Sequence, residues 1–572
     1  MEITFYNIKK GIRYLKHYGW KEFKIRLSEK REPDIILYSD WLQRHAAAAE
    51  ELSKQSDQYK KWLNAGQAPL VSIVVSADNE EPQNCENLLK SLERQTYKNY
   101  ELCTFVLNDR AAFDCLHGDY VTVLEPEDEL EPNALFELMQ AVICADQRVK
   151  GLKGVASIQS GVHWESNKTG YRETGNIDIV YSDEDITDEQ GQTSPVFKTD
   201  FDYDFFKAVN YFGKITLMEK ALYADCAGDV GLAVQKAGRI AHVPKVLCHS
   251  KAHNDQEDRA CDKEADTEEL LQNDRPLVSI IIPNKDETEA LKKCIASIRK
   301  STYNNYEIII VENNSLTEEI FDYYKEIGMV SSDKSVVIEK QPEAATGIDI
   351  VTWKPDKPGF NYSAINNYGA SFARGEYLIL LNNDIEIITH DWIEKMLGIC
   401  QRKDVGIVGA KLYYPDDTIQ HAGIVVGVGG HARGIGSNML TDLPRADESH
   451  WDKTHVVREC SAVTAACLMI KKQAFDEVGG FEEYLTVAFN DVDLCLKVRK
   501  KGYSVVFNPH VEAYHYESKS RGQEDTDEKV RRFQTEIEYM RTEWNDILRY
   551  GDPYYNPGYS RVKNDYSLNG MS

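Results

Sequence analysis

The stretch Tyr377–Glu386 reads YLILLNNDIE and predicts how the region around it is organised. Its first five residues, Tyr377–Leu381, are apolar or aromatic, which is typical of a strand buried on both faces of a sheet. The strand runs directly into Asn382, Asn383 and Asp384. Ligands of open α/β sheets bind beyond the carboxyl ends of strands, and oxygen donors there suit a hard divalent cation that holds phosphates. An ordinary polar turn after a strand is the alternative that this stretch alone leaves open.

The composition is that of an ordinary globular protein, with 42% hydrophobic and 28% charged residues. A chain of 572 residues predicts several domains, because single cores rarely grow beyond about 250–300 residues. The net charge of −26 argues against sequence-independent nucleic-acid binding, which needs a basic surface. The twelve cysteines show neither C-x-x-C nor a metal-like spacing, which predicts reduced thiols and a cytoplasmic location.

The N-terminal region predicts helices without a core of their own. Nine Lys or Arg residues and two Glu residues lie between Lys9 and Arg31, interleaved with apolar side chains. Such a segment suits peripheral contact with the inner face of a membrane, or with a partner. The alternative is a helix packed on the main body with its basic face in solvent. No stretch approaches the ~18 apolar residues of a spanning helix, so we expect a soluble protein.

A pattern of strand, amphipathic helix and strand occurs twice. Leu70–Val75 (LVSIVV) matches Leu277–Ile282 (LVSIII), and Thr96–Glu101 (TYKNYE) matches Thr302–Glu307 (TYNNYE). Two aligned blocks at nearly the same offset indicate an internal duplication that begins with a parallel βαβ unit. The first copy lacks two polar segments of the second copy, one of them containing Phe489–Asp493. It therefore keeps the strands and loses the ligand-facing loops, which favours a structural or partner-binding role.

The predicted fold class is α/β, with two mostly parallel, Rossmann-like sheets in tandem and the first copy truncated. The chain divides into five predicted segments: a helical extension at 1–66, the degenerate copy at 67–251, an acidic linker at 252–275, the second copy at 276–523, and a helix with a tail at 524–572. The linker is almost free of branched apolar residues, as expected of a solvated connection. Apolar residues at helical spacing within Asp525–Leu548 predict a helix docked on the core.

Polar residues also follow the first two strands of the second copy. Pro283, Asn284 and Asp286 follow one strand, and Glu312 and Asn313 follow the next. An acidic side chain accepts hydrogen bonds from ribose hydroxyls and Asn pairs with an imide edge, so this rim suits a nucleoside. Taken singly, each segment is an ordinary turn. Neither G-x-G-x-x-G after the first strand nor a P-loop sequence is present, so neither of those nucleotide sites is supported.

Six blocks of the second copy, spanning residues 276–522, resemble family 2 glycosyltransferases of the GT-A type. In chain order they are PLVSIIIPNKD, YEIIIVENNS, FNYSAINNYGASFARGEYLILLNNDIE, GAKLYYPDDTIQHAGIVVG, DEVGGFEEYLTVAFNDVDLCLKVRKKGY and HYESKSRG. The tail Asp552–Pro557 (DPYYNP) is similar to that of members that build rhamnan, O-antigen and related cell-surface polysaccharides. The resemblance implies a nucleoside-diphosphate sugar donor, a glycan or lipid-linked glycan acceptor, and transfer of a hexosyl group with inversion.

The resemblance also implies roles for individual residues. Asp384 closes the counterpart of the family's D-x-D motif and is the implied ligand of Mn²⁺ or Mg²⁺, although Asn382 replaces the first Asp. His515 matches the metal-proximal His, and Tyr516 stands where a second His is frequent. Asp491 stands where the family has its catalytic base. The implied donor-binding residues are Pro283, Asn284, Asp286, Glu312, Asn313, Asn367, Asn382, Asn383 and Arg521.

Other interpretations remain open at the level of sequence. Asp491 and Asp493 suit the N-terminus of a helix, and for Asp493 capping is the better account. His515 by itself is more typical of a buried, hydrogen-bonded histidine. The protein as a whole has a rival interpretation as a catalytically inactive glycan-binding or scaffold protein of a polysaccharide assembly complex. A third hypothesis gives acceptor-glycan binding to the first copy.

Overall fold

The computed structural model describes residues 20, 36–76, 85–105, 115–149, 163–166, 177–252, 275–327, 347–354, 360–429, 434–516 and 526–570. The expected basic segment between Lys9 and Arg31, apart from Trp20, and nearly all of the expected acidic linker lie outside these residues. The chain divides into two compact units. The N-terminal unit is built from Pro33–Cys261, Pro553–Ser560 and Leu568–Ser572, and the C-terminal unit is built around Asp262–Asp552 and Arg561–Ser567.

The N-terminal unit is a nine-stranded sheet in the order β2-β1-β3-β8-β6-β9-β4, with β5 paired to β9 and β7 paired to β6. Its strands are β1 Val71–Ser76, β2 Tyr100–Phe105, β3 Tyr120–Leu124, β4 Glu129–Leu130, β5 His163–Ser166, β6 Ile179–Thr187, β7 Thr193–Val196, β8 Thr216–Glu219 and β9 Arg239–Lys251. Its helices are α1 Tyr38–His45, α2 Ala49–Asn64, α3 Glu86–Glu93, α4 Ala134–Val149, α5 Tyr203–Ala208, α6 Lys220–Asp225 and α7 Val230–Lys236.

The C-terminal unit contains a ten-stranded sheet in the order β12-β11-β10-β13-β20-β15-β21-β14, with β16 paired to β15 and β19 paired to β21, and a separate β17-β18 pair. Its strands are β10 Val278–Asn284, β11 Tyr306–Glu312, β12 Ile348–Thr352, β13 Tyr377–Leu381, β14 Ile385–Ile387, β15 Val405–Tyr413, β16 Ile419–His421, β17 Ile424–Val425, β18 Ser437–Asn438, β19 Arg458–Glu459, β20 Cys467–Lys471 and β21 Ser504–His515. Its helices are α8 Thr288–Ile298, α9 Glu318–Ile327, α10 Tyr362–Ala370, α11 Trp392–Cys400, α12 Trp451–Thr454, α13 Lys472–Glu477, α14 Asn490–Lys500, α15 Asp527–Glu543 and α16 Asn545–Tyr550.

The two sheets share one strand order. Reading β2, β1, β3, β8, β6, β9 and β4 against β11, β10, β13, β20, β15, β21 and β14 pairs each strand with its counterpart, and β12 extends the second sheet at one edge. Strands β10 to β13 are mutually parallel, whereas β20 runs antiparallel to both β13 and β15. The α/β class is confirmed, with a parallel-rich half and a mixed half in each sheet, and the common order is the topology that an internal duplication produces.

The same hydrogen-bond arrangement of a Ser, a Glu and a Gly occurs in both units and explains one part of the sequence match. In the C-terminal unit, Ser279 donates to Glu307 over 2.6 Å and accepts the backbone N–H of Gly375 over 2.9 Å. The N-terminal unit repeats this with Ser72, Glu101 and Gly118, at 2.5 and 2.9 Å. This Ser-Glu-Gly arrangement joins β1, β2 and the residues before β3 in the first copy, and β10, β11 and the residues before β13 in the second. It therefore ties these strands together at the end of the sheet opposite their carboxyl ends.

The core of the C-terminal unit lies on both faces of its sheet. Alternate residues of β10 face different layers, because successive side chains of a strand point to opposite faces. Ile280 packs with the α8 and α11 side, whereas Ile281 packs with the α10 and α14 side. Ile537, Met540 and Trp544 of the C-terminal helices are buried in the second of these clusters, as the helical spacing predicts.

Candidate active site

The carboxyl ends of β10 and β11 meet in register and bring the two predicted nucleoside segments together. Asn284 is the partner of Glu312 across the two strands, and Pro283 is the partner of Val311. The backbone N–H of Asn313 donates to the carbonyl of Asn284 over 2.9 Å. Four of the predicted donor-binding residues therefore share one edge of the sheet.

Glu312 is buried and holds the turn that follows its own strand. Its carboxylate accepts the Ser315 N–H over 2.5 Å and the Ser315 hydroxyl over 2.8 Å. It also accepts the Tyr324 hydroxyl over 2.7 Å, and Tyr324 in turn accepts an amide hydrogen from Asn284 over 2.9 Å. Burial and the neighbouring Glu312 raise the pKa of Tyr324, so the phenol stays protonated. Glu312 is thus already engaged by three donors of its own chain.

Asp286 occupies the rim beside this turn in a left-handed conformation with φ of 59°. Its Oδ1 accepts the backbone N–H groups of Leu316 and Thr317 over 2.5 and 2.9 Å, and its own N–H donates to Ser315 Oγ over 2.9 Å. Partial burial acts to raise the pKa of Asp286, but the backbone hydrogen bonds from Thr317 and Leu316 outweigh it and lower the pKa. Asp286 is therefore ionised at neutral pH beside Asn284.

The Asn-Asn-Asp segment lies where β13 ends. Asn383 donates from its amide nitrogen to Oδ1 of Asn284 over 2.7 Å, which links this segment to the β10 end. Asn382 donates its backbone N–H to the carbonyl of Ala466 over 2.9 Å, and its Oδ1 is 3.2 Å from the Tyr362 hydroxyl. Asp384 is only 6% exposed. The segment is held on both sides by neighbouring elements.

Antiparallel pairing of β14 with β21 brings His515 to Asp384. Ile385 is the register partner of His515, and Nε2 of the imidazole lies 3.2 Å from Oδ1 of Asp384. The other ring nitrogen, Nδ1, is 2.6 Å from Oε1 of Gln420, an amide oxygen that only accepts. Gln420 therefore selects the tautomer with hydrogen on Nδ1. In this tautomer Nε2 is an acceptor, and it lies near both Oδ1 of Asp384 and the amide nitrogen of Asn382, the latter at 3.4 Å.

Asp491 lies at the start of α14. Its Oδ1 accepts the backbone N–H of Val492 over 2.9 Å, and its Oδ2 is 3.4 Å from the backbone nitrogen of Ala465. The carbonyl of Ala465 is 3.0 Å from the same Tyr362 hydroxyl that contacts Asn382. Asp491 is thus linked to Asn382 through two residues, Ala465 and Tyr362. The positions 384, 491 and 515 share a region of the C-terminal unit.

Two predicted residues do not join this group. The side chain of Asn367 on α10 binds the loop before α14, donating to the Phe481 carbonyl over 3.0 Å and accepting the Phe481 N–H over 2.9 Å. Its amide also contacts Glu483 over 3.1 Å. Asn367 therefore holds the loop at residues 481–483. Its side chain does not join the polar residues at the strand ends. Arg521 lies outside the described residues.

The capping account of Asp493 is also replaced by a tertiary one. Asp493 is completely buried, accepts the indole N–H of Trp544 over 2.9 Å and lies 3.2 Å from Nζ of Lys497. Burial raises the pKa of Asp493, and the neighbouring Lys497 opposes that effect. The residue anchors α14 to the C-terminal helices.

Sequence reasoning missed Tyr362, Gln420 and His421. All three fall inside the quoted sequence blocks, but no spacing rule distinguishes them from core residues. His421 is buried between Asn438 at 2.7 Å and the backbone N–H of Thr464 at 3.4 Å. Burial lowers the pKa of His421 to about 4, so this imidazole is neutral at neutral pH.

The donor set at Asp384 fits a divalent cation. A carboxylate oxygen and an imidazole lone pair face each other at 3.2 Å, an arrangement of two acceptors that a cation between them would satisfy. Within the described ranges no group of three or more His, Cys, Asp or Glu side chains converges as a metal site. Two protein ligands suit Mg²⁺ or Mn²⁺ that takes its remaining ligands from phosphates and water.

In the N-terminal unit the corresponding strand end is occupied by the protein itself. Glu125 follows β3 as Asn382 follows β13, and its carboxylate lies 2.5 Å from Nζ of Lys214. Lys198 is buried and donates to the carbonyls of Ser182 and Phe212 over 2.6 and 2.7 Å. Lys214 thus pairs with the carboxylate that follows β3.

Residues 279–348 match the family model described as glycosyl transferase family 2. This segment contains all but the first residue of β10, together with α8 and β11, and it includes the strand ends that carry the predicted nucleoside-binding residues. The fold and the polar strand ends define an α/β protein with a candidate ligand site at the edge of its second sheet. The resemblance of the second copy to family 2 glycosyltransferases is therefore confirmed over residues 279–348.

Curated relatives match over most of this chain. An uncharacterized protein of Sinorhizobium fredii (strain NBRC 101917 / NGR234), y4gI, is 32% identical, covering 87% of this chain and 58% of its own length. The O-antigen biosynthesis protein RfbC of Myxococcus xanthus is 25% identical, covering 95% of this chain and 44% of its own. The chain therefore spans about half the length of these relatives. The resemblance stated from sequence, to family 2 glycosyltransferases of polysaccharide biosynthesis, is confirmed by these matches.

Among solved structures, GalNAc-T7 with UDP, GalNAc and Mn²⁺ aligns with a TM-score of 0.36 and 15% identity, over 48% of this chain and 50% of that one. The mannosyltransferase PcManGT of Pyrobaculum calidifontis, in complex with GDP-Man and Mn²⁺, aligns with a TM-score of 0.31 and 13% identity, over 50% of this chain and 78% of that one.

Within the described residues, none of the helices combines the length and the apolar character that crossing a membrane requires.

Proposed function

We propose that the C-terminal unit is an inverting, metal-dependent glycosyltransferase that moves a sugar from a nucleoside-diphosphate donor to a glycan or lipid-linked glycan acceptor of a surface polysaccharide. The observation that carries the proposal is the 3.2 Å approach of His515 to Asp384 beside the strand ends that hold Asn284 and Asp286. The match to the family 2 model supports the reaction class. The N-terminal unit, with its strand end filled internally, is proposed to be degenerate.

The donor lies along the β10, β11 and β13 ends in this proposal. Asn284 and Asp286 bind the nucleoside together with Asn313, and ionised Asp286 accepts from ribose hydroxyls. Asp384 and His515 hold Mn²⁺ or Mg²⁺, with Asn382 and Asn383 orienting the segment. A divalent cation supplies Lewis-acid stabilisation of the negative charge that develops on the departing diphosphate. Arg521 remains the proposed phosphate contact from sequence.

Asp491 is the proposed general base. An acceptor hydroxyl is a weak nucleophile until a carboxylate takes its proton in the transition state, an effect typically worth about 10²–10⁴-fold. Asp491 presents a partly buried carboxylate near the Asn382 side of the site. A single base on the face opposite the leaving group gives one displacement, in which the glycosyl–phosphate bond breaks as the new glycosidic bond forms, with inversion.

Turnover of nucleoside-diphosphate sugars tests this function. The full chain is incubated with uridine, guanosine and deoxythymidine diphosphate sugars and Mn²⁺ or Mg²⁺, and release of the nucleoside diphosphate is followed. We expect one donor class to be turned over, and Asp491→Asn to lose about 10²–10⁴-fold in rate. The matched control is Asp322→Asn, an exposed carboxylate on α9 paired with Lys325. Turnover that is unchanged by Asp491→Asn, or absent with every donor, would favour the scaffold interpretation.

The location of the acceptor is a separate proposal. Peripheral attachment at the inner face of a membrane would bring a lipid-linked acceptor to the site, and the basic N-terminal segment is the part of the sequence that suits it. Co-sedimentation of the full chain with anionic vesicles, compared with neutral vesicles, measures this contact. Equal partition with both would remove the electrostatic basis for it.

A further inference from the structure

The loop that leads into the proposed base is held by a charged residue far along the chain. Glu536, on α15, is 1% exposed. Its Oε1 accepts the Thr486 hydroxyl over 2.9 Å and the Val487 N–H over 3.0 Å, and its Oε2 lies 3.3 Å from the Ala488 nitrogen. One carboxylate thus engages three consecutive residues.

Residues of α15 and the residue that follows it also contact the chain on both sides of Asp491. Phe489 adopts a left-handed conformation with φ of 63°, which is uncommon for an aromatic residue, and its ring stacks on Phe533 of α15 with centroids 5.5 Å apart. Beyond Asp491, the indole of Trp544 donates to buried Asp493 over 2.9 Å. The backbone conformation that aims Asp491 is therefore fixed by α15 and the residue after it.

We propose that Glu536 is a positioning residue of the transferase: by holding residues 486–488 it fixes the start of α14 and hence the carboxylate of Asp491. The inference rests on the proposed role of Asp491. Small displacements of a catalytic group lower the rate steeply, because the reacting atoms must approach in a narrow geometry. Glu536 touches neither donor nor acceptor in this arrangement and acts only through the loop.

The carboxylate is required because both oxygens accept. Gln at position 536 keeps the shape but replaces one acceptor with an N–H₂ donor. That donor would face the Ala488 N–H or the nearby Arg532, whose Nε lies 3.6 Å from Oε2. Glu536→Gln therefore removes part of the hold on the loop while leaving the apolar packing of α15 in place. Glu538→Gln is the matched control, because Glu538 lies on the same helix, is 70% exposed and pairs with Arg541.

Hydrogen exchange of residues 484–494 in the full chain tests the hold itself, whether or not a donor is known. We expect Glu536→Gln to speed exchange at Val487 and Ala488 at least about tenfold, and Glu538→Gln to leave it unchanged. Exchange that is equally slow in wild type and Glu536→Gln would overturn the proposal. Folding is checked by the far-UV spectrum and the melting temperature. If Glu536→Gln fails to fold, Glu536→Asp is measured in its place under the same criterion.

Kinetics then test the link to Asp491. We expect Glu536→Gln to lower kcat at least about tenfold while KM for the donor changes less than about twofold, because donor-binding residues are untouched. In an Asp491→Asn background the same substitution should change the residual rate by less than about twofold. Independent, multiplicative losses would show that Glu536 does not act through Asp491. Wild-type inactivity with every donor, alongside fast exchange in Glu536→Gln, would instead overturn the proposed function and with it the kinetic role, and leave only the anchoring.

Discussion

Nε2 of His515 lies 3.2 Å from Oδ1 of Asp384 although the two residues are 131 positions apart in the sequence. The pairing of β14 with β21 produces this approach directly, since Ile385 and His515 are register partners. Gln420 accepts from the far side of the ring at 2.6 Å. Asp384 and His515 are therefore a pair of proposed metal ligands, and the effect of replacing each of them can be measured.

Removing either member of the pair should abolish metal-dependent nucleotide binding. A nucleoside diphosphate with Mn²⁺ at 100 times its Kd should stabilise the wild type by about 3 kcal/mol, by mass action. For Asp384→Asn and for His515→Ala we expect less than about 1 kcal/mol at the same concentrations. Thermal unfolding with and without the ligand pair provides the measurement. Asp322→Asn serves as the control, and equal stabilisation of Asp384→Asn would contradict the assignment.

Gln420→Leu should weaken metal binding without removing a ligand. The amide oxygen orients the imidazole of His515, and loss of such an outer partner typically costs about 10–100-fold in metal affinity. Titration of Mn²⁺ in the presence of a nucleoside diphosphate, followed by the paramagnetic signal of the free ion, gives the Kd. Gln473→Leu is the control. Gln473 lies on α13, and its amide donates to the exposed Glu477 over 2.7 Å. An unaltered Kd in Gln420→Leu would show that the tautomer needs no such partner.

Gly375→Ala should destabilise the C-terminal unit. A Cβ there would lie 2.6 Å from the Leu277 carbonyl oxygen and 2.8 Å from the Ser279 nitrogen, both of them backbone atoms of the central strand region. Overpacking of this kind costs about 1–3 kcal/mol in the free energy of unfolding. Gly347→Ala is the control, since a Cβ at Gly347 meets nothing within 4 Å. Denaturant unfolding of the two variants should separate them, and equal midpoints would refute the close approach.

The N-terminal unit should lose stability as pH rises through about 8. His242 is buried between Asp183 at 2.9 Å and Asp200 at 3.1 Å. Burial alone would lower its pKa, but the Asp183 and Asp200 carboxylates outweigh burial and raise the pKa to about 8. The folded pKa lies above the unfolded value, so the stabilisation is complete below about pH 6.5 and is lost as pH rises through the folded value.

The size of that contribution is about 2 kcal/mol, from a shift of roughly 1.5 units. Unfolding free energies of the full chain between pH 6 and 9.5 provide the measurement, with His242→Gln as the comparison. We expect the wild type to lose about 2 kcal/mol more than the variant over this range. Parallel pH profiles of the two proteins would disprove the linkage. His249, whose pKa is raised to about 10, is common to both.

Much of the fold follows from local pattern. The apolar run at Tyr377–Leu381 and the parallel strands β10 and β11 were predictable because a buried strand admits few sequences, and the repeat of the first strand and helix indicated the duplication. The polar ends of β10, β11 and β13 were predictable for the same reason, since the carboxyl ends of parallel strands share one edge of a sheet.

The amino-acid sequence alone therefore determined the α/β class, indicated the tandem copies and predicted which edge of the sheet carries the candidate site. Tertiary structure decided which side chains meet there: the β14–β21 register brought His515 to Asp384, and α15 brought Glu536 to the loop before Asp491. It also turned Asn367 toward the 481–483 loop and engaged Glu312 with Ser315 and Tyr324. Strand and helix patterns are local, whereas pairing register and the docking of a distant helix depend on contacts between residues that no local pattern relates.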